Sequence, residues 1–151
     1  MNTAIMPFEG GCTCRFVRYG LASTPLFVHC CHCRWCQRET GASFALNAMI
    51  ESDRITVLSD QVPEFVDTPS NSGKGQQIAR CPKCRVAVWS HYAGAGILVA
   101  FVRVGTLDDP VPRDATHAIE GLPGAQVALG IRDGVAHRRA TRRDRGVVEQ
   151  R

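Results

Sequence analysis

The residues of this chain that could do chemistry are its eight cysteines, which fall into three close groups. The groups are Cys12 and Cys14; Cys30, Cys31, Cys33 and Cys36; and Cys81 and Cys84. Thiolates spaced one or two residues apart can bind one metal ion together. Lasting disulfides are disfavoured in a reducing cytosol. The spacing therefore favours metal ligands or reactive thiols over covalent cross-links.

The first and last groups can combine into one closed four-cysteine site. Between Cys81 and Cys84, Pro82 presets the turn, so that both thiolates can bind one ion. Cys12 and Cys14 are at i and i+2, and on an extended strand both sulfurs would project from one face. Zinc suits four thiolates because it accepts tetrahedral sulfur ligands and has no redox chemistry. Such a site would join the N-terminal strand to the middle of the chain.

The central group offers a three-thiolate site with an open position. Cys31, Cys33 and Cys36 combine two short spacings, so three sulfurs can face one point. In zinc enzymes the fourth position holds water or substrate, and a thiophilic ion would bind an incoming thiol as its thiolate. We interpret Cys30 as a small buried residue. His32 would point away from the metal in an extended segment, and we expect it to be exposed or to support a ligand.

The elements that must position these cysteines are mostly strands. Short apolar segments rich in Val, Ile and Phe alternate with Gly, Pro, Asn and Asp, which is typical of a mainly β domain. Strands are predicted over 15–20, 25–30, 44–50, 54–59, 77–81, 87–92 and 97–107. Helical turns are predicted over 34–40 and 51–54, and a loop over 67–77.

Length and charge limit the organisation and the partners. The chain has 151 residues, enough for one domain, which we place over 1–131. Residues 132–151 form a basic tail with seven arginines and three acids, and we expect this tail to be mobile. The rest of the chain has no net charge, which argues against a nucleic-acid-binding face. The sequence shows neither a signal peptide nor a membrane span, so we expect a cytoplasmic protein with no membrane partner.

Four motifs together resemble the glutathione-dependent formaldehyde-activating enzyme family, which is related to centromere protein V. They are "GGCTC" (10–14), "CHCRWCQRETGASFA" (31–45), "CPKC" (81–84) and "VGTLDD" (104–109). The resemblance implies a β-tent fold, with short antiparallel sheets around a closed zinc site. Its structural zinc ligands would be Cys12, Cys14, Cys81 and Cys84. Its catalytic residues, which would bind a second and weaker zinc, would be Cys31, Cys33 and Cys36.

The same resemblance implies a carbon–sulfur lyase that joins formaldehyde to the sulfur of glutathione, giving S-hydroxymethylglutathione. The alternative is a non-catalytic zinc module that binds a partner protein. Some basic residues near the cysteines could pair with the carboxylates of glutathione; these are Arg34, Arg38, Lys74 and Arg80. Relatives usually have Gly where this chain has Arg85. If that position needs a positive φ, arginine costs about 1 kcal/mol there.

Overall fold

A computed structural model describes residues 7–109 and the backbone of residues 126–128. The mainly β prediction is confirmed, since short strands dominate and the described residues hold one α-helix, α1 (Arg34–Thr40). The strands are β1 (Phe8–Gly11), β2 (Arg18–Leu21), β3 (Phe27–Cys31), β4 (Ala45–Glu51), β5 (Ile55–Val57), β6 (Glu64–Thr68), β7 (Gln76–Arg80), β8 (Ala87–Tyr92), β9 (Val99–Arg103) and β10 (Gln126–Ala128). The predicted tail and the boundary at residue 131 lie outside the described residues.

Two sheets make up the fold. The smaller sheet has the order β1-β2-β5, and the larger has the order β10-β3-β4-β9-β8-β7-β6. All pairings are antiparallel except that of β10 with β3. The core includes Tyr19 and Leu21 from the small sheet and Ile50, Trp89 and Val102 from the large one, all buried. By alternation along the strands, these last three residues project from one face of the large sheet, and the buried polar residues Asn47, Ser90 and Arg103 project from the other.

Helix α1 has the same bounds as the predicted helical segment, because its sequence contains no breaker and its ends are capped. Cys33 is the N-cap, and its sulfur accepts a hydrogen bond from the backbone N–H of Cys36 at 3.3 Å. Gly41 ends the helix at φ 68°, where a glycine avoids the strain of a side chain, and its N–H donates to the Gln37 carbonyl.

Some predicted elements were wrong in extent. The loop predicted over 67–77 is shorter, since Asp67 and Thr68 belong to β6 and Gln76 and Gln77 to β7. The strand predicted over 97–107 is regular only over β9 and is flanked by 3-10 turns at Gly96–Leu98 and Val104–Thr106. Strands β1 and β6 were not predicted, because two glycines in β1 and the charged residues of β6 weaken the apolar pattern. No helix among the described residues is long and apolar enough to cross a membrane.

Candidate metal centres

The four-cysteine cluster lies where the two sheets meet. Cys12 and Cys14 follow β1 of the small sheet, while Cys81 and Cys84 follow β7 of the large one. The four sulfurs lie within 4.8 Å of one another. The Sγ atoms of Cys12 and Cys14 are 3.5 Å apart, and those of Cys14 and Cys81 are 3.7 Å apart. None of the eight cysteines, all of which lie among the described residues, forms a disulfide.

Two tight loops present these sulfurs. In the first, the N–H of Cys12 donates to the carbonyl of Val17, and in the second the N–H of Cys81 donates to the carbonyl of Val86. Each loop has one arginine with a positive φ, Arg15 at 61° and Arg85 at 63°. Residue 85 therefore has the positive φ at which an arginine is strained. The expectation that the CxC pair lies on an extended strand was wrong, because the chain turns immediately after β1.

Backbone N–H groups favour negative charge on the first sulfur of each loop. Val17 donates to the sulfur of Cys12 at 3.3 Å, and Cys84 donates to that of Cys81 at 3.5 Å. Such hydrogen bonds stabilise a thiolate relative to a thiol. The two loops thus supply part of the stabilisation that an anionic metal ligand needs.

The pKa values within this cluster diverge because the sulfurs compete for charge. Burial opposes ionisation of Cys84, but backbone hydrogen bonds from Val86 and Cys14, with the neighbouring thiols, lower its pKa to about 6. The backbone of Phe16 favours a Cys14 thiolate, yet burial and the other three sulfurs raise the pKa of Cys14 to about 11. Four thiolates this close repel one another, so a cation is needed before all four can ionise near neutral pH.

The three-cysteine cluster is built from one continuous segment. Cys31 ends β3, Cys33 caps α1, and Cys36 lies in the first turn of that helix. Their sulfurs also lie within 4.8 Å of one another. Cys36 is buried, whereas Cys31 and Cys33 are half-buried. The cluster is therefore open to solvent on the side of Cys31 and Cys33.

In this second cluster, burial and neighbouring groups raise the pKa values of two thiols. The thiol of Cys31, together with burial, raises the pKa of Cys36, and burial raises that of Cys33. The phenol of Tyr92 lies 3.8 Å from the sulfur of Cys36. Burial raises the pKa of Tyr92 to about 12, so this phenol keeps its proton at neutral pH. No motif or spacing pointed to Tyr92, which β8 brings next to the cluster.

Both clusters fit a soft, tetrahedral metal ion. Sulfur ligands bound to zinc at about 2.3 Å lie about 3.8 Å from one another. The measured 3.5 Å and 3.7 Å in the four-cysteine cluster are close to that spacing. The three-cysteine cluster offers the same ligand type with one ligand fewer. The first arrangement is closed, and the second leaves a coordination position for another ligand.

The other residues considered in the sequence have ordinary environments. Cys30 is buried and burial raises its pKa, as expected of a small core residue. His32 is exposed, and its ring lies 5.4 Å from that of Phe44. Arg80 forms an ion pair with Glu39 of α1. Of the remaining basic candidates, Arg34 hydrogen-bonds Gln37, Lys74 is exposed in the loop between β6 and β7, and Arg38 is exposed on α1.

Comparisons with known proteins identify the family. A comparison with curated proteins found no significant match. A crystal structure of a Rhodobacter sphaeroides protein matches with a TM-score of 0.52 and 18% sequence identity, and the match covers 70% of this chain and 93% of that one. At this identity the match shows a shared fold. The family model described as "Glutathione-dependent formaldehyde-activating enzyme" matches residues 7–120, which is most of the chain. The chain therefore belongs to the glutathione-dependent formaldehyde-activating enzyme family.

Proposed function

We propose that this protein is a zinc-dependent enzyme of the carbon–sulfur lyase type that joins formaldehyde to the sulfur of glutathione. The open three-cysteine cluster is the observation that carries the proposal, because a purely structural site gains nothing from an unfilled position. The family to which the chain belongs supports formaldehyde and glutathione as substrates. Adducts of another small thiol would use the same chemistry.

The two clusters take different roles in this proposal. Cys12, Cys14, Cys81 and Cys84 hold a structural zinc between the sheets. Cys31, Cys33 and Cys36 hold the second, weaker zinc. When bound there, zinc supplies Lewis acidity that lowers the pKa of an incoming thiol.

The chain's own groups prepare the reaction. In the reaction the thiolate sulfur of glutathione bonds to the carbonyl carbon of formaldehyde, the carbonyl π electrons move to oxygen, and that oxygen takes one proton. Tyr92 is protonated and lies beside Cys36, so it can donate a hydrogen bond to the oxygen that gains charge. Cys33 holds the segment in place as the cap of α1. Tyr92→Phe should lower the rate about tenfold and leave metal content unchanged.

Calorimetry on zinc-loaded protein tests the proposal. Glutathione should bind with release of about one proton, which is counted by comparing two buffers with different ionisation heats. A thiol-blocked analogue, S-methylglutathione, should release none and is the matched control. Glutathione binding without proton release, or no glutathione binding, would contradict the proposal and would favour a zinc module that binds a partner protein.

A further inference from the structure

A row of buried polar side chains lies on the face of the large sheet opposite the core. They are His29, Asn47, Gln76, Ser90 and Arg103, each less than a tenth exposed. The strand register pairs His29 with Asn47 and Asn47 with Arg103, so these three side chains project from one face. Cys31 is two residues beyond His29 on β3 and shares this face. The three-cysteine cluster therefore adjoins this polar face.

Arg103 carries a buried charge without a carboxylate. Its side chain is part of a residue that is 7% exposed, and within the described residues its guanidinium forms no ion pair. Its NH1 group donates to Oδ1 of Asn47, which is fully buried. A neutral amide stabilises a buried charge only in part, and burial of a cation without an opposite charge is unfavourable in free energy. Among the residues from 7 to 109, no carboxylate balances this charge.

Two buried donors are left over at this position. Within the part of the chain that the structure describes, Nε of Arg103 has no hydrogen-bond partner, and neither has Nδ2 of Asn47. The amide orientation of Asn47 follows from chemistry, since a guanidinium only donates and must face the amide oxygen. An acceptor that satisfies both donors and the charge is a carboxylate, whose two oxygens accept several hydrogen bonds.

Arg103 also lines a cavity of about 550 Å3 whose lining includes the C-terminal end of α1, the helix that begins at the three-cysteine cluster. Glu39 and Thr40 at the end of α1 line it on one side, and Cys84 of the four-cysteine cluster lines it on the other. Its volume lies in the range of small-molecule sites. Two more arginines line the cavity, but Arg80 pairs with Glu39 and Arg85 pairs with Glu64. Among these three arginines, Arg103 is the one without a carboxylate partner.

We propose that Arg103, with Asn47 beside it, binds a carboxylate of the thiol substrate. This inference rests on the proposed function and names the substrate class, a small thiol that carries a carboxylate. Tyr92 links the two parts of the site, since its phenol lies 3.8 Å from the sulfur of Cys36 and its side chain projects from the same face of the sheet as that of Arg103. The carboxylate would then fix the thiol relative to the open cluster.

The ligand side of the test needs no variant. Binding of glutathione to zinc-loaded wild type is compared by calorimetry with binding of glutathione whose two carboxyl groups are esterified. We expect the diester to bind about 10- to 150-fold more weakly, as for loss of a hydrogen bond to a charged group. Equal affinity for the two ligands would overturn the inference.

The protein side uses Arg103→Met, with Arg54→Met as a control that removes one charge elsewhere. Arg103→Met should bind glutathione and its diester equally, while Arg54→Met should keep the wild-type preference. Removal of Arg103 leaves the buried Oδ1 of Asn47 without its donor, so thermal unfolding must first show that Arg103→Met is folded. A preference for the free carboxylates that persists in Arg103→Met would overturn the assignment of this residue.

Two further measurements separate this inference from the proposed function. S-methylglutathione, which cannot supply a thiolate, should still bind wild type more tightly than Arg103→Met. 2-Mercaptoethanol, which has no carboxylate, should bind wild type and Arg103→Met equally. If glutathione binds without releasing a proton but needs Arg103, the carboxylate site stands and the thiolate chemistry fails. If the proton is released and the diester binds as tightly as glutathione, the thiolate chemistry stands and the carboxylate site fails.

Discussion

The two cysteine clusters use the same ligand in opposite ways. The four-cysteine cluster joins loops that are 67 residues apart in sequence, and each loop follows a strand of a different sheet. The three-cysteine cluster draws its sulfurs from a single segment, Cys31 to Cys36, that ends a strand and begins a helix. An ion that joins distant segments restricts the whole chain, whereas one bound within six residues restricts a short turn. By sequence separation, the four-cysteine cluster is therefore the better candidate for a site that holds the fold.

The largest expected effect is at the four-cysteine cluster, here called the closed cluster; the three-cysteine cluster is the open cluster. Cys81 is fully buried, and its sulfur bridges the two sheets through Cys14. Cys81→Ser should yield an insoluble or unfolded chain with both metal ions lost, because the binding free energy of the closed site is part of the folding free energy. Circular dichroism and metal analysis measure this. Cys30→Ser is the control, as a buried cysteine outside both clusters, and it should remain folded. A Cys81→Ser protein with wild-type metal content and melting temperature would contradict the structural role.

Cys33→Ser should separate the two clusters. Serine is a good N-cap, so it can replace the sulfur that accepts the N–H of Cys36 and preserve the start of α1. It is a poor zinc ligand by comparison with a thiolate, so we expect one metal ion per chain, a melting temperature close to that of wild type and no glutathione-dependent proton release. Metal analysis, thermal unfolding and calorimetry on one sample check the three parts. Unfolding of Cys33→Ser would show that the open cluster also supports the fold, and unchanged proton release would place thiol binding elsewhere.

Local structure near the two clusters could be predicted from the sequence alone. The bounds of α1 and β8 agree with prediction, because capping and alternation act within a few residues. The cysteine spacings predicted both clusters, which the structure brings together. The turn after Cys12 was missed, since an arginine with a positive φ has no sequence signature. Pairing such as that of β2 with β5 depends on contacts distant in sequence and could not be predicted.

The polar face was missed for a related reason. Asn47 and Arg103 each interrupt an apolar run, in "FALNAMI" and "VAFVRVG". A polar residue in a strand usually marks a solvent-facing position, so these two gave no signal on their own. They lie directly opposite each other on β4 and β9. Only this register shows that the two residues form a buried pair and do not face solvent. A polar residue flanked by apolar residues on both sides is the weak sign that could have indicated them.

A smaller effect is expected from backbone strain in the loops of the four-cysteine cluster. The closed cluster's loops hold Arg15 and Arg85 at a positive φ, whereas the helix of the open cluster ends on Gly41. Arg15→Gly should raise the free energy of unfolding by about 0.5–1 kcal/mol by removing this strain, and urea titration measures it. Arg15→Ala is the matched control, because alanine keeps the Cβ and the strain. Equal stability of the two variants would show that the closed cluster's loops are not strained.

The smallest expected effect concerns an ion pair beside the closed cluster. Arg18 of β2 donates to Asp108 at 2.7 Å and to Glu9 at 3.4 Å, which links the small sheet to the segment after β9. The hydrogen bond from Arg18 holds the pKa of Asp108 below its usual value of 3.8. Asp108 is half-exposed, so solvent screening limits the pair to less than about 1 kcal/mol. Asp108→Asn should therefore lower stability slightly at neutral pH and leave the open cluster's glutathione binding unchanged.

The pH dependence of that small difference tests which groups govern the closed cluster. Because the folded pKa of Asp108 is depressed, its contribution is complete above the unfolded pKa and is lost as the pH falls through the folded pKa. Between pH 8 and about 5, the stability difference between wild type and Asp108→Asn should be constant, and it should shrink only below about pH 4. Cysteine thiolates take up protons when the metal is released, so any loss of stability shared by both proteins above pH 5 belongs to the clusters. Chemical denaturation at several pH values supplies both curves. A difference that already shrinks between pH 7 and 5 would mean that the ion pair and the closed cluster titrate together, and the two could no longer be treated as separate supports of the same sheet junction.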